Sequence, residues 1–233
     1  MNENTTSESL WKVFPELVAA VTADHVACGA VGGGHNFYHA LMVAQYAQRI
    51  APDSDTAILG WIAGLLHNTD RIYSKYDAIP VITRCLRLAP LDIPSGHLYI
   101  LRAILEHSKR NDPEDPPVTI VLKDADRLDN IGSLHFLRCG QFRPNILAVD
   151  PRFITSSDPQ ATFRNPRSLL QDLKHTLEWE SWLRLPKAQE LGKPMFAEIR
   201  QLIANIERRF TTLGLHPFPE ELIVELQSER RAA

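Results

Sequence analysis

Cysteine is scarce in this sequence, and its placement is uninformative for cross-linking. The three residues, Cys28, Cys85 and Cys139, are odd in number, far apart and form no CxxC pair. That excludes a disulfide framework and makes a reducing, cytoplasmic setting the expectation. Long apolar runs are also missing: none approaches the roughly 20 residues that span a bilayer. Met1–Ser9 is polar and acidic, without the basic start or apolar centre of a signal peptide. No membrane partner is therefore expected. An excess of either charge is absent too, since 25 Lys and Arg stand against 28 Asp and Glu. A broad polyphosphate-binding face has no support in that balance, so nucleic acid is not expected as an obligate partner. Alternating strand patterns, low complexity and internal repeats are lacking as well, which leaves an all-α fold.

What is present is helical spacing, punctuated by proline and glycine. At 233 residues the chain can bury a substantial core. Residues 1–20 read as a tail and a short helix whose face is Trp11, Val13, Phe14, Leu17 and Val18. Residues 21–140 read as the main helical domain, 141–165 as a long loop or lid, and 166–233 as further helices packed on the same domain. Within the main domain, the spacing predicts helices from Asn36 to Ile50 and from Asp53 or Ser54 to about His67. Others follow near Val81–Leu88, from Ser95 through Leu105, and after Pro116-Pro117, where Val118, Val121, Leu122, Ala125, Leu128 and Ile131 keep a three-four period. Ser168–Trp182 and Pro194–Leu213 complete the set. The exposed faces of these last helices leave a homodimer open.

The polar residues that interrupt this pattern carry the chemistry. The apolar run Ala57–Leu66 ends abruptly in His67-Asn68-Thr69-Asp70-Arg71. A helix C-cap explains His-Asn as well as a ligand pair does. His35 and His39 are four apart and share a helical face, a spacing that buried or surface histidines also show. In Lys123–Asn130, angular bookkeeping at about 100° per residue puts Asp129 within the apolar arc, with Asp124 and Asp126 near its opposite edges, about 160° apart. Periodicity does not choose between them. His107 closes its helix on the apolar side and is followed by Lys109 and Arg110, cations suited to an anionic substrate. Taken together, His, His-Asn and Asp on separate helices make a mixed nitrogen and oxygen donor set. It suits a divalent transition metal (Mn, Fe, Co, Ni or Zn) rather than calcium.

In this order the segments resemble the HD-domain superfamily of metal-dependent phosphohydrolases. HNFYHALMVA is similar to its first ligand segment, AILGWIAGLLHNTDR to the His-Asp doublet, and ILEHSKRND with VLKDADRLDNIG to the end of the domain. The resemblance covers most of residues 35–210 and is closest to a bacterial branch of small hydrolases. It implies an HD-domain helical bundle with additional C-terminal helices. It also implies metal ligands at His39, His67, Asn68 and Asp126, the Asp before Arg being the ligand. The activity implied is hydrolysis of a nucleotide or related phosphate ester by metal-activated water. Arg71, Lys109, Arg110 and Arg127 are candidates to stabilise phosphoryl charge, and Asp70 or Asp129 to orient the water or take its proton. His97 and His107 keep a second metal site open. Three positions depart from the branch: Asn68 replaces the doublet Asp, Asp70 stands where Gly is usual, and Met42 stands where Arg is usual. Asn68 removes one anion and weakens the expected metal affinity. A catalytically weakened ligand-binding or scaffold protein is therefore the rival reading, and a di-iron oxygenase a third.

Overall fold

A computed structural model describes residues 9–29, 34–73 and 75–223. The expected N-terminal tail, apart from Ser9, and residues 224–233 of the C-terminal segment lie outside the described residues. In chain order the helices are α1 (Leu10–Val13), α2 (Pro15–Ala27), α3 (Phe37–Ile50), α4 (Ser54–Leu66), α5 (Thr69–Ile72) and α6 (Lys75–Leu86). They continue with α7 (Gly96–Glu106), α8 (Pro117–Asp129), α9 (Ser133–Phe142), α10 (Leu169–Thr176) and α11 (Pro186–Thr212). Among the described residues there is no β-strand, so the fold is all-α.

Local chemistry sets the helices that matter. Asn36 caps α3, its side chain accepting from the His39 amide at 3.0 Å. Asp53 caps α4 in the same way, from the Thr56 amide at 2.8 Å. Pro117 opens α8, where its missing N–H costs nothing. α4 is the axis of the molecule: every residue from Leu59 to Leu66 is buried, polar caps apart, and α3, α7 and α8 pack around it. Small residues allow the closest of these approaches. A Cβ on Gly64 would stand 2.7 Å from the Ala44 Cα, so α3 and α4 touch backbone to backbone.

Three expectations need correction. Of the expected N-terminal face, Phe14 and Leu17 are buried but Trp11 and Val13 are exposed, and Leu10 and Val21 face the core in their place. α1 ends at Val13, and the break at Phe14 changes the phase of the apolar face. Phe14 then stacks on Trp61, ring centroids 6.1 Å apart. The last long helix begins at Pro186 and runs through Pro194 rather than starting there. Ala188, Gly192, Phe196, Ile199 and Ile203 form a continuous buried stripe across that proline, and their packing outweighs its lost hydrogen bond. Likewise α6 starts at Lys75 and carries Pro80 inside it.

The C-terminal helices are tied to the main bundle by a buried acid. Asp124 is fully buried and accepts from the amides of Arg184 and Leu185, both at 2.8 Å. It thus fixes the entry to α11 and is no candidate for the metal. The expected loop begins with the end of α9; beyond Phe142 it forms turns and one short 3-10 segment, Pro151–Phe153, and Phe142, Arg143 and Phe163 line the cavity described next.

Candidate metal centre and active-site cavity

Three side chains from three helices meet at the inner end of α4. His39 enters from α3, His67 stands at the C-cap of α4, and Asp126 enters from α8. His67 Nε2 lies 3.2 Å from His39 Nε2. Asp126 Oδ1 lies 3.5 Å from the first ring and 3.8 Å from the second, measured to His39 and His67 Nε2 respectively. Donors bonded tetrahedrally at about 2.0–2.1 Å stand about 3.3 Å apart, so the spacing fits one transition-metal ion.

The far side of each ring settles what the near side offers. His67 Nδ1 faces the Gly64 carbonyl at 2.6 Å, and His39 Nδ1 faces the Asp129 carboxylate. Each Nδ1 therefore carries the proton when the ring is neutral, and each Nε2 presents a lone pair. Two lone pairs 3.2 Å apart repel unless a cation lies between them. Such acceptors behind the rings are the usual support of metal-bound imidazole. His107 repeats the pattern, Nδ1 on the Ile104 carbonyl at 2.6 Å and its ring 5.3 Å from that of His67.

Charge states agree with this role. Burial holds the His67 imidazole well below its usual pKa, against the pull of Asp126. Burial alone would raise the Asp126 carboxyl, but the His67, His39 and His107 rings outweigh it and hold the group below its usual range. Neutral imidazole and charged carboxylate are the forms a metal requires. The same shifts govern stability without metal. Burial also lowers His25, His35 and His135. The folded chain thus resists protons that the unfolded chain accepts below 6.5, the ordinary histidine value. Asp126 and Asp115, both lowered from 3.8, act in the same sense further down. Stability of the metal-free protein is therefore expected to fall as pH drops through 6.5 and again below about 4. Urea midpoints at stepped pH check this, and a midpoint flat from pH 7 to 5 contradicts it.

The remaining candidates fall on both sides of the line. A cavity of about 290 Å³ reaches Asp126 of the trio and is lined also by His35, Arg71, His107, Arg127 and Arg138, with Phe142, Phe163, Trp179 and Trp182. Arg127 is held there by Asn111 Oδ1 at 2.8 Å and the Trp182 carbonyl at 3.1 Å. Asn68 is buried next to His67; its side chain interacts with His35, and its amide nitrogen has no hydrogen-bond partner. Asp70 Oδ1 lies 3.8 Å from Arg71 Nε and is buried without a hydrogen bond.

Lys109 and Arg110 instead line a separate depression, Lys109 pairing with Glu106 at 2.7 Å. His97 and His107 stand at opposite ends of α7, about 15 Å apart along its axis. They cannot share an ion, and His97 faces the Ala89 carbonyl at 3.2 Å. Asp129 does not reach a water in the cavity: its side chain is fully buried against His39 and Arg138. It acts as a positioning residue for His39.

No local pattern in the sequence marks Arg138. Gly132, at φ 73°, turns the chain back after α8, so α9 returns Arg138 to the Asp129 it has just left. Its guanidinium also donates to the Asp129 carbonyl at 3.0 Å and lies 3.8 Å from the Met42 sulfur. Met42 is the position where the resembling branch carries arginine, so α9 brings a cation to the place that α3 leaves apolar. Arg138→Met is expected to weaken metal affinity about 10- to 100-fold, the usual effect of losing support behind a ligand. Competition with a chromophoric chelator measures it. Unchanged affinity would assign Arg138 to substrate alone.

Comparison with known proteins follows the same outline. No curated protein sequence matches this chain. A structure of a protein from Lactobacillus plantarum superposes with TM-score 0.65 at 17% identity, over 85% of this chain and 97% of that one. An HD-superfamily hydrolase from Bacillus thuringiensis gives 0.63 at 16% identity, over 87% and 99%. The Lin1889 protein of Listeria innocua gives 0.61 at 18%, over 85% and 97%. At these identities the likeness establishes the fold. The model of the HD-domain family matches residues 36–131, the span from the cap of α3 to just past the end of α8 that holds all three convergent donors. The chain therefore carries an HD domain, extended by helices that wall its cavity.

Proposed function

We propose that this protein is a metal-dependent phosphohydrolase acting on a nucleotide or related small phosphate ester. The observation that carries the reading is the pair of imidazole lone pairs 3.2 Å apart beside the Asp126 carboxylate. His39, His67 and Asp126 hold a divalent transition ion, and Asn68 adds its neutral carbonyl oxygen. When bound, such an ion polarises a phosphoryl oxygen and lowers the pKa of water. The chain's own residues do the rest. Arg71 and Arg127 on the cavity wall stabilise charge on the phosphoryl oxygens. Asp70, whose Oδ1 lies 3.8 Å from Arg71 Nε beside the cavity wall, is the carboxylate placed to receive a proton. Phe142, Phe163, Trp179 and Trp182 give the cavity an aromatic wall suited to a planar base.

The test is elemental analysis of purified protein, then a screen of nucleotides and simpler phosphate esters with and without the metal found. Hydrolysis that disappears with chelator and returns with that metal supports the reading. Metal bound without turnover favours the ligand-binding rival, for which Asn68 speaks. Two irons per chain would favour an oxygenase.

Asn68→Asp separates the first two. A second carboxylate raises the donor charge from −1 to −2 and should tighten metal binding at least ~10-fold. If hydrolysis then appears where the native chain has none, the native protein has drifted towards binding. If the native chain is already active and changes little, the rival fails.

A further inference from the structure

We propose that His135, Cys139 and Asp172 form a second transition-metal site, distinct in residues and in ligand chemistry from the centre at His39, His67 and Asp126. The proposal does not rest on the hydrolytic reading.

His135 and Cys139 are four apart on α9 and share one face; Asp172 meets them from α10. All three are buried, and their donor atoms lie within 4.8 Å of one another. Cys139 Sγ is 3.4 Å from His135 Nε2 and 2.5 Å from Asp172 Oδ2. Around a tetrahedral ion with bonds of about 2.0–2.3 Å, neighbouring donors stand about 3.3–3.6 Å apart. The sulfur–imidazole pair is already at that distance. Asp172 Oδ2 must move out by about an ångström, a small rotation of a short side chain.

Hydrogen bonds hold the three donors together, and an ion would take the place of the thiol proton. The Cys139 thiol donates to the Asp172 carboxylate, and the Thr176 hydroxyl donates to the Asp172 main-chain carbonyl at 2.9 Å. Both protons are committed. His135 Nε2 lies 3.2 Å from the Thr176 hydroxyl and 3.4 Å from the sulfur, and in the Nδ1–H tautomer it presents a lone pair to the space between Cys139 and Asp172. A cation satisfies all three donors at once. Thiolate and carboxylate supply two negative charges, which neutralise a divalent ion, and a Cys-His-Asp set selects a borderline ion such as zinc or cobalt over magnesium or manganese.

The site is not closed. His135, Cys139 and Asp172 also line the cavity that receives Asp126, so three protein donors leave a position open to a molecule held there. Three protein donors with a fourth position open differ from the closed four-ligand set of a structural site.

Cobalt(II) titration of the metal-free full-length chain tests this. The expected result is two cobalt ions per chain and a near-ultraviolet band from thiolate-to-cobalt charge transfer. Cys139→Ser should lose the band and one equivalent, while Asp126→Asn should lose one equivalent and keep the band. Asp172→Asn, weakened at the same site, replaces Cys139→Ser should that variant fail to fold by circular dichroism. The proposal is overturned if the native chain shows no band at saturating cobalt. It is equally overturned if the band survives in folded Cys139→Ser, since Cys28 or Cys85 would then be its source. Absence of hydrolysis with the band intact counts against the proposed function and leaves this site standing.

Discussion

Asp126→Asn is expected to strip the metal from the HD centre and to reduce phosphohydrolysis at least ~100-fold, because even groups standing behind a ligand contribute 10- to 100-fold. Asp126 is the only carboxylate among the three convergent donors, so its loss takes the set from −1 to zero charge. The substitution is nearly isosteric, and the side chain is 26% exposed towards the cavity, so packing survives. His39 and His67 keep their Nδ1 partners in Asp129 and the Gly64 carbonyl, which leaves the rings oriented but without a counter-charge. The measurement pairs metal content with kcat/KM on a nucleotide substrate, and thermal unfolding of the metal-free form serves as the folding control. A folded variant that keeps full metal and full turnover removes Asp126 from the centre. In Asn68→Asp/Asp126→Asn the carboxylate changes position at constant charge, which separates a need for charge from a need for that particular atom.

The candidate donors were legible in the sequence because each breaks an apolar pattern where polar groups are costly. His67 and Asn68 end a run of buried residues, and the acids of α8 intrude on a clear three-four period. Periodicity did not rank Asp124 against Asp126, since both lie at edges of the apolar arc. The difference is tertiary: Asp124 accepts two amides from the entry to α11, a partner some 60 residues on that no local pattern reveals. Arg138 stayed hidden for a related reason. Only the reversal at Gly132 brings it back against Asp129 and Met42. Lys109 and Arg110 were legible as cations, but the phase of the chain after α7 turns them to another surface. The prolines misled in one direction. Pro80 and Pro194 read as boundaries, yet each lies inside a helix whose buried face continues past it.

Gly64→Ala is expected to destabilise the fold and loosen the metal centre together. An added Cβ would meet the Ala44 Cα at 2.7 Å, the Ala44 nitrogen at 2.8 Å and the Val43 carbonyl carbon at 3.0 Å. All three are backbone atoms, so no rotamer change relieves the contact and α3 must move away from α4. Overpacking of this kind costs about 1–3 kcal/mol, and more when backbone shifts. The better helix propensity of Ala returns up to ~1 kcal/mol. A net loss of about 2 kcal/mol lowers Tm by roughly 4–8 °C in a chain of this size. The function follows the geometry. α3 carries His39, and the Gly64 carbonyl itself orients His67, so the gap between the two Nε2 atoms, 3.2 Å in the native chain, widens as the helices part. Metal affinity should fall at least ~10-fold. Two other glycines calibrate the result. Gly60→Ala meets the Val121 Cγ1 at 2.7 Å, a side-chain atom that can yield, and Gly140→Ala meets nothing within 4 Å. The order of damage should therefore be Gly64→Ala, then Gly60→Ala, with Gly140→Ala neutral or stabilising, read by thermal unfolding and metal titration side by side. A Gly64→Ala protein with native Tm and native metal affinity would show that α3 and α4 do not set the spacing of the two histidines.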